Sequence, residues 1–200
     1  MRTTAPRTAL LLALALVGLS ACHLSYTGGA KAVRQTDVPP GWLHAAPTPV
    51  VVQGQRRDCG LAALAMVAGA WGRTWALPDL AHQLPPTGDG VKLGRLRDFA
   101  RTRGLEAYAV KGTFQDLEHE LQAGHPVLLG LVLPFDQNTN LNHYEVVVAM
   151  NPADGTVVTR DPATGGLMKR SRKVLDLEWK TAGYATLVVV GEQPPKEKPI

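Results

Sequence analysis

The sequence predicts an α+β domain whose helices come first and whose sheet, largely antiparallel, comes after them. Three observations carry this prediction. Apolar residues recur at helical spacing through the first part of the domain, and short Val- and Leu-rich runs bounded by Pro, Asn, Asp and Gly fill the second. The third is composition: 200 residues, 45% hydrophobic and 19% charged, supply the apolar material for one core. A disordered or fibrous chain is excluded.

Ahead of that domain, residues 1–21 carry Arg2 and Arg7, then the apolar run ALLLALALVG, with no acidic residue before Cys22. This is the pattern of a secretory signal. Its apolar core is about half of the roughly 20 residues a spanning helix needs. Leu19-Ser20-Ala21-Cys22 resembles the lipobox of bacterial lipoproteins, in which the cysteine is acylated and becomes the first residue of the mature protein. That resemblance implies membrane attachment through Cys22 at the bacterial cell envelope. With His23 rather than aspartate next, it implies the outer membrane if the cell is Gram-negative. Without Arg2 and Arg7 the 21 basic side chains fall to 19 against 17 acidic, a balance that gives nucleic-acid binding no support. The chain holds two cysteines, so acylation of Cys22 leaves Cys59 as the lone thiol and no internal disulfide.

Residues 22–49, rich in Gly, Ala, Pro, Ser and Thr without apolar period, read as a flexible tether with a reach on the order of 25–30 Å. The domain proper is expected over 50–190, followed by a polar, proline-rich and disordered tail over 191–200.

Within the domain a helix is predicted over 59–70, with Leu61, Leu64, Ala65 and Ala68 on one face and Asp58 as its N-cap. A short helix follows Pro78. Another spans 92–103, burying Leu93, Leu96, Phe99 and Ala100, and stops at Gly104. Thr113 and Asp116 form a capping pair for a helix whose stripe is Phe114, Leu117 and Leu121 and which ends near Gly124. Strands follow at 126–133, 143–150, 156–160 and 184–190.

Cys59 stands at the start of the first helix, where unpaired N–H groups and the positive dipole end favour a thiolate, the nucleophilic form. Taken alone, a cysteine in DCGLAALAMV is more often a small buried hydrophobe, and its position at the very first turn is what favours the nucleophile. A nucleophile needs a base, and the candidates are His23, His44, His82, His119, His125 and His143. Two lie in the tether, His82 and His119 fall on polar helix surface, and His125 sits at a helix-to-strand turn. His143 opens the strand HYEVVVAM, which would hold its ring on a rigid element. Asp161 ends the next strand, so an antiparallel hairpin would bring it beside His143 to orient the imidazole. The alternative is that Asp161-Pro162 merely terminates the strand. The backbone N–H of Cys59 and the side chain of Gln53, six residues upstream, could together bind an oxyanion.

Gln53, Asp58-Cys59-Gly60 with Ala62 and Leu64, then His143-Tyr144 opening a valine-rich strand, then Asp161-Pro162-Ala163, and finally Trp179 and Gly183 resemble the bacteriocin-leader-processing branch of the papain-like cysteine peptidases. Those enzymes trim double-glycine leaders. The resemblance spans residues 50–190 and implies a papain-like fold, with the nucleophile in an N-terminal helical part and His and Asp on a C-terminal antiparallel sheet. It implies Cys59 as nucleophile, His143 as general base and acid, Asp161 as orienter and Gln53 as oxyanion donor. It also implies a peptide or protein substrate, an acyl-enzyme thioester and a link to export machinery, with no cofactor and no metal. The best-known members are fused to an exporter's membrane and ATP-hydrolysing domains, whereas this sequence shows no P-loop and no spanning segment. Two other functions compete: hydrolysis of cell-wall peptides by the same Cys/His pair, although those enzymes usually place serine where Gly60 stands, and an inactive peptide-binding lipoprotein.

Overall fold

The computed structural model describes residues 29–134 and 140–192. The signal peptide, Cys22, His23 and residues 193–200 of the tail lie outside the described residues, as do 135–139 of the loop before His143. The described chain forms β1 (Lys31–Val33), β2 (Leu43–His44), α1 (Cys59–Gly69), α2 (Leu77–Gln83), α3 (Leu93–Thr102), β3 (Glu106–Lys111), α4 (Phe114–Gln122), β4 (Val127–Pro134), β5 (Asn140–Met150), β6 (Val157–Arg160), β7 (Leu167–Arg170), α5 (Arg172–Thr181) and β8 (Ala185–Val190). One antiparallel sheet runs β1-β7-β6-β5-β4-β8-β3, with β2 paired to the end of β5. The α+β architecture predicted from the sequence is the one observed.

Both faces of the sheet are covered, and this explains why β4 reads as a continuous apolar run. Leu128 points to the layer of α1, α2 and α3, whereas Val127, Leu129 and Leu131 point to α4 and α5. On the first face α1 is buried on every side, from Cys59 to Ala68, between Val146 and Leu187 of the sheet and Leu80, Leu96 and Ala100 of its neighbouring helices. The single apolar stripe expected for this helix is therefore replaced by an all-round core position. Its alanines allow close approach, and Leu61, Leu64 and Met66 each contribute about 1.5–3 kcal/mol of burial. On the second face Leu117, Leu121, Leu175 and Trp179 pack on β4 and β5. Thr113 and Asp116 form the expected reciprocal cap, with Asp116 N–H donating to Thr113 Oγ1 at 3.1 Å and Thr113 N–H to Asp116 Oδ2 at 2.8 Å. Gly104 takes φ 77° where α3 stops.

The expected tether is corrected over residues 29–49. β1 pairs with β7, the N–H of Ala45 donates to Val148 O at 2.9 Å, and Val38 and Trp42 join a small cluster with Ala149, Val158 and Leu167. Pro49 lies so close to the end of α1 that a Cβ on Gly69 would collide with its ring. Sparse apolar residues hid this segment from a periodicity reading, since three-residue strands and single anchors carry no period. Unpredicted strands β3 and β7 and helix α5 complete the set. No helix among the described residues is long and apolar enough to cross a membrane.

Candidate active site

Cys59 is the first residue of α1 and is buried at 3% exposure. The expected N-cap role of Asp58 is not realised: its Oδ2 accepts the Gln55 N–H at 3.0 Å and caps the 3-10 turn at Arg56–Asp58 instead. The N–H groups at the start of α1 are thus left without this side-chain cap. Gly60 has a steric reason to be glycine, because a Cβ there would meet Tyr144 Cδ2 at 3.0 Å and Leu96 Cδ1 at 3.2 Å. Its absence lets β5 lie against the first turn of α1, and Tyr144 is the residue next to His143.

β5 and β6 pair antiparallel through Val146 and Arg160, around the turn the sequence predicted. This register brings His143 Nε2 to 2.7 Å from Asp161 Oδ1. Asp161 is held from the other side: Ala163 N–H donates to Oδ1 at 2.8 Å and the Thr164 hydroxyl to Oδ2 at 3.1 Å. With Nε2 taken, Nδ1 is the ring nitrogen left for the Cys59 side chain, whose interaction with the ring favours its protonated form. Burial of His143 works against its protonation, but the Asp161 bond, the Cys59 bond and the Glu145 charge outweigh it and push the imidazole up to about 10. Burial opposes Asp161 ionisation as well, yet the His143 contact and the two donors at the turn hold it below the usual carboxylate range.

Gln53 is half-buried, its N–H donates to Pro162 O at 2.9 Å, and its Oε1 is buried without a hydrogen-bond partner. The backbone bond ties the loop before α1 to the turn that carries Asp161. Cys59, His143 and Tyr144 line a cleft of about 590 Å³. The sequence reading missed the rest of its lining. One wall is made of small residues, Gly130, Ala182 and Ala185, and the rim is residues 87–90, closed by a Thr87–Gly90 bridge. Gly88 and Gly90 flank Asp89 with φ 58° and 139°, so the TGDG tetrapeptide was the available signal.

The other described histidines stay outside this cluster. His82 and His119 are exposed as expected, His44 bonds Pro39 O at 3.1 Å, and His125 packs edge-on to Trp71 and contacts Glu120 at 2.7 Å. Among the described residues one grouping has metal-ligand chemistry, His143, Glu145 and Asp161, with ligand atoms within 4.8 Å. Its donors already serve protein partners, Arg170 on both Glu145 oxygens and His143 on Asp161, so a cation there would displace a guanidinium.

A cysteine at a helix start that shares an open cleft with a histidine, itself bonded to an aspartate, defines a papain-like cysteine peptidase. A sequence profile of the Peptidase C39 family matches residues 47–191, and the chain belongs to that family. No curated protein is matched. Three crystal structures share the fold. A C39-like peptidase from Bacillus anthracis superposes with TM-score 0.63 at 19% identity, covering 76% of this chain and 99% of its own. The peptidase domain of Streptococcus ComA, a bi-functional ABC transporter involved in quorum sensing, gives 0.59 at 20% identity over 74% of this chain and 99% of its own. A double glycine motif protease from an AMS/PCAT transporter, solved with its leader peptide, gives 0.58 at 21% identity over 73% and 93%.

Proposed function

We propose that this cysteine peptidase is a lipid-anchored endopeptidase of the bacterial cell envelope that cuts an exported peptide or protein through a thioester acyl-enzyme. The observation that carries the reading is His143, buried with one ring nitrogen on Asp161 and the other toward Cys59 at the wall of an open cleft. The Cys59 sulfur attacks the scissile carbonyl carbon, and the resulting oxyanion receives hydrogen bonds from the Cys59 N–H and the Gln53 side-chain amide. His143 gives its proton to the departing amine as the carbonyl re-forms, leaving a thioester. It then takes a proton from water, which attacks the thioester and releases the acid. Asp161 keeps the ring in one tautomer and supports its positive form.

The leader peptide held by the AMS/PCAT protease supports a peptide substrate. Gly130, Ala182 and Ala185 leave room in the cleft beside Cys59 and His143 for an extended peptide. Acylation at Cys22 would leave only residues 23–30 before β1, a span of at most about 29 Å, so the domain would work close to the bilayer that holds its lipid. The test compares exported peptides of cells carrying the wild-type chain with those carrying Cys59→Ala. At least one peptide is expected to persist uncut in the variant and to be cleaved by purified wild-type protein. Identical peptide populations would refute the reading.

A further inference from the structure

Behind the His143–Asp161 pair lies a second charged cluster that the mechanism above does not use. Glu145 lies two residues along β5 from His143, so both project to the same side of the strand, and it is 1% exposed. Arg170 of β7, also 1% exposed, clamps it in bidentate fashion, Nη1 to Oε2 and Nη2 to Oε1, each at 2.7 Å. The Thr159 hydroxyl of β6 donates to the same carboxylate. Arg170 Nε reaches Glu178 Oε2 of α5 at 2.7 Å. Three elements, β5, β6 and β7, thus meet at one buried carboxylate, with α5 behind Arg170, and an oxygen of that carboxylate falls within the 4.8 Å grouping that includes His143 and Asp161.

We propose that Glu145 is a positioning residue for His143: clamped by Arg170, its carboxylate sets a second fixed negative charge beside the imidazole and stabilises the protonated ring. The proposal rests on the reading of His143 as the acid–base residue. A buried ion pair seldom repays its desolvation as stability alone, and well-packed apolar residues would join β5, β7 and α5 at least as well. What apolar residues would not provide is charge at this place. The groups facing His143 are Cys59 from α1, Asp161 from the end of β6 and Glu145 from its own strand, with Arg170 and Glu178 one shell beyond. Burial first, then the Glu145 charge, push Glu178 up to about 7 against the pull of Arg170, and its Oε1 has no partner. Near neutral pH Glu178 therefore gives up part of its claim on Arg170, while Arg170 keeps its two contacts to Glu145.

The experiment is an NMR titration of the histidine rings in the full chain under reducing conditions, with His143 assigned by the signal lost in His143→Gln. Glu145→Gln is expected to lower the His143 midpoint by about one pH unit, the usual effect of a carboxylate at this range. Glu178→Gln breaks the same network farther from the ring and is expected to leave the midpoint within about 0.3. If Glu145→Gln does not fold, Glu145→Gln/Arg170→Met removes the pair together and is expected to lower the midpoint in the same direction by a smaller amount, since the nearer charge of the pair is the negative one. An unchanged midpoint, equal shifts in the Glu145 and Glu178 variants, or failure of both Glu145 variants to fold would assign the cluster to structure and overturn the proposal. The titration needs no substrate, so its failure is separate from a failure of the peptidase reading, which the Cys59→Ala comparison decides.

Discussion

Asp161→Asn offers a quantitative test of the His143–Asp161 pair. Asparagine keeps the volume and one acceptor oxygen but removes the charge that faces His143 Nε2 at 2.7 Å. His143 is raised from 6.5 to about 10 in the folded protein, and at about 1.36 kcal/mol per pKa unit that difference is on the order of 5 kcal/mol of folding free energy. Because the folded value lies above the unfolded one, this stability is fully present below pH 6.5 and is lost as pH rises through about 10. Asp161 itself is lowered, so its own contribution is lost only in acid and stays constant across that window. Burial opposes the rise of His143 and the Asp161 bond leads the groups that cause it, so removing the Asp161 charge is expected to cost about 1.5–3 kcal/mol, the range for a hydrogen bond to a charged group. Urea unfolding in reducing buffer, followed by tryptophan fluorescence, measures the gap between wild type and Asp161→Asn. The gap is expected to be wider at pH 6 than at about pH 10.5 by that amount. A gap that stays constant with pH would refute the charged pair and leave only a neutral hydrogen bond.

Three further outcomes are expected. Cys22→Ala leaves the protein unacylated and releases it from the membrane fraction or stalls its processing; unchanged fractionation argues against the anchor. Gln53→Ala lowers kcat by about 10²–10³ on whichever peptide the export comparison identifies, the usual loss for one oxyanion donor, while Gln55→Ala is mild; the reverse order would show the donor misassigned. Gly60→Ala places a methyl 3.0 Å from Tyr144 and 3.2 Å from Leu96, so it costs about 1–3 kcal/mol of overpacking in denaturation. Because Tyr144 adjoins His143, turnover is expected to fall by about tenfold or more, and wild-type turnover with unchanged stability would show that the first turn of α1 has room for the methyl.

The sequence by itself determined the elements with strong local signals and pointed to Cys59, His143 and Asp161, which the structure brings together. α3 and α4 follow from their stripes and caps, and β4, β5, β6 and β8 from apolar runs between turn residues, because these signals act over a few neighbouring residues. His143 could be singled out because it alone among the histidines heads a valine-rich run, although β5 begins three residues earlier at Asn140, and Asp161 because a hairpin with a short turn makes neighbours of residues 18 apart. α5 was legible in principle, with Ser171 at its start and Leu175 and Trp179 four apart, but its charged surface obscured the stripe.

Only the tertiary structure decided the remainder, since the free energies involved come from partners distant in the chain. Residues 29–49 look like a linker until β7 and the end of β5 supply the hydrogen bonds that hold them. Asp58 reads as the cap of α1 until the preceding turn claims its carboxylate. Glu145, Arg170 and Glu178 lie 25 and 8 residues apart, and each would pass for a surface charge. The sheet buries them together, and burial couples them because a charge withdrawn from water must find its compensation in whatever the fold brings within reach.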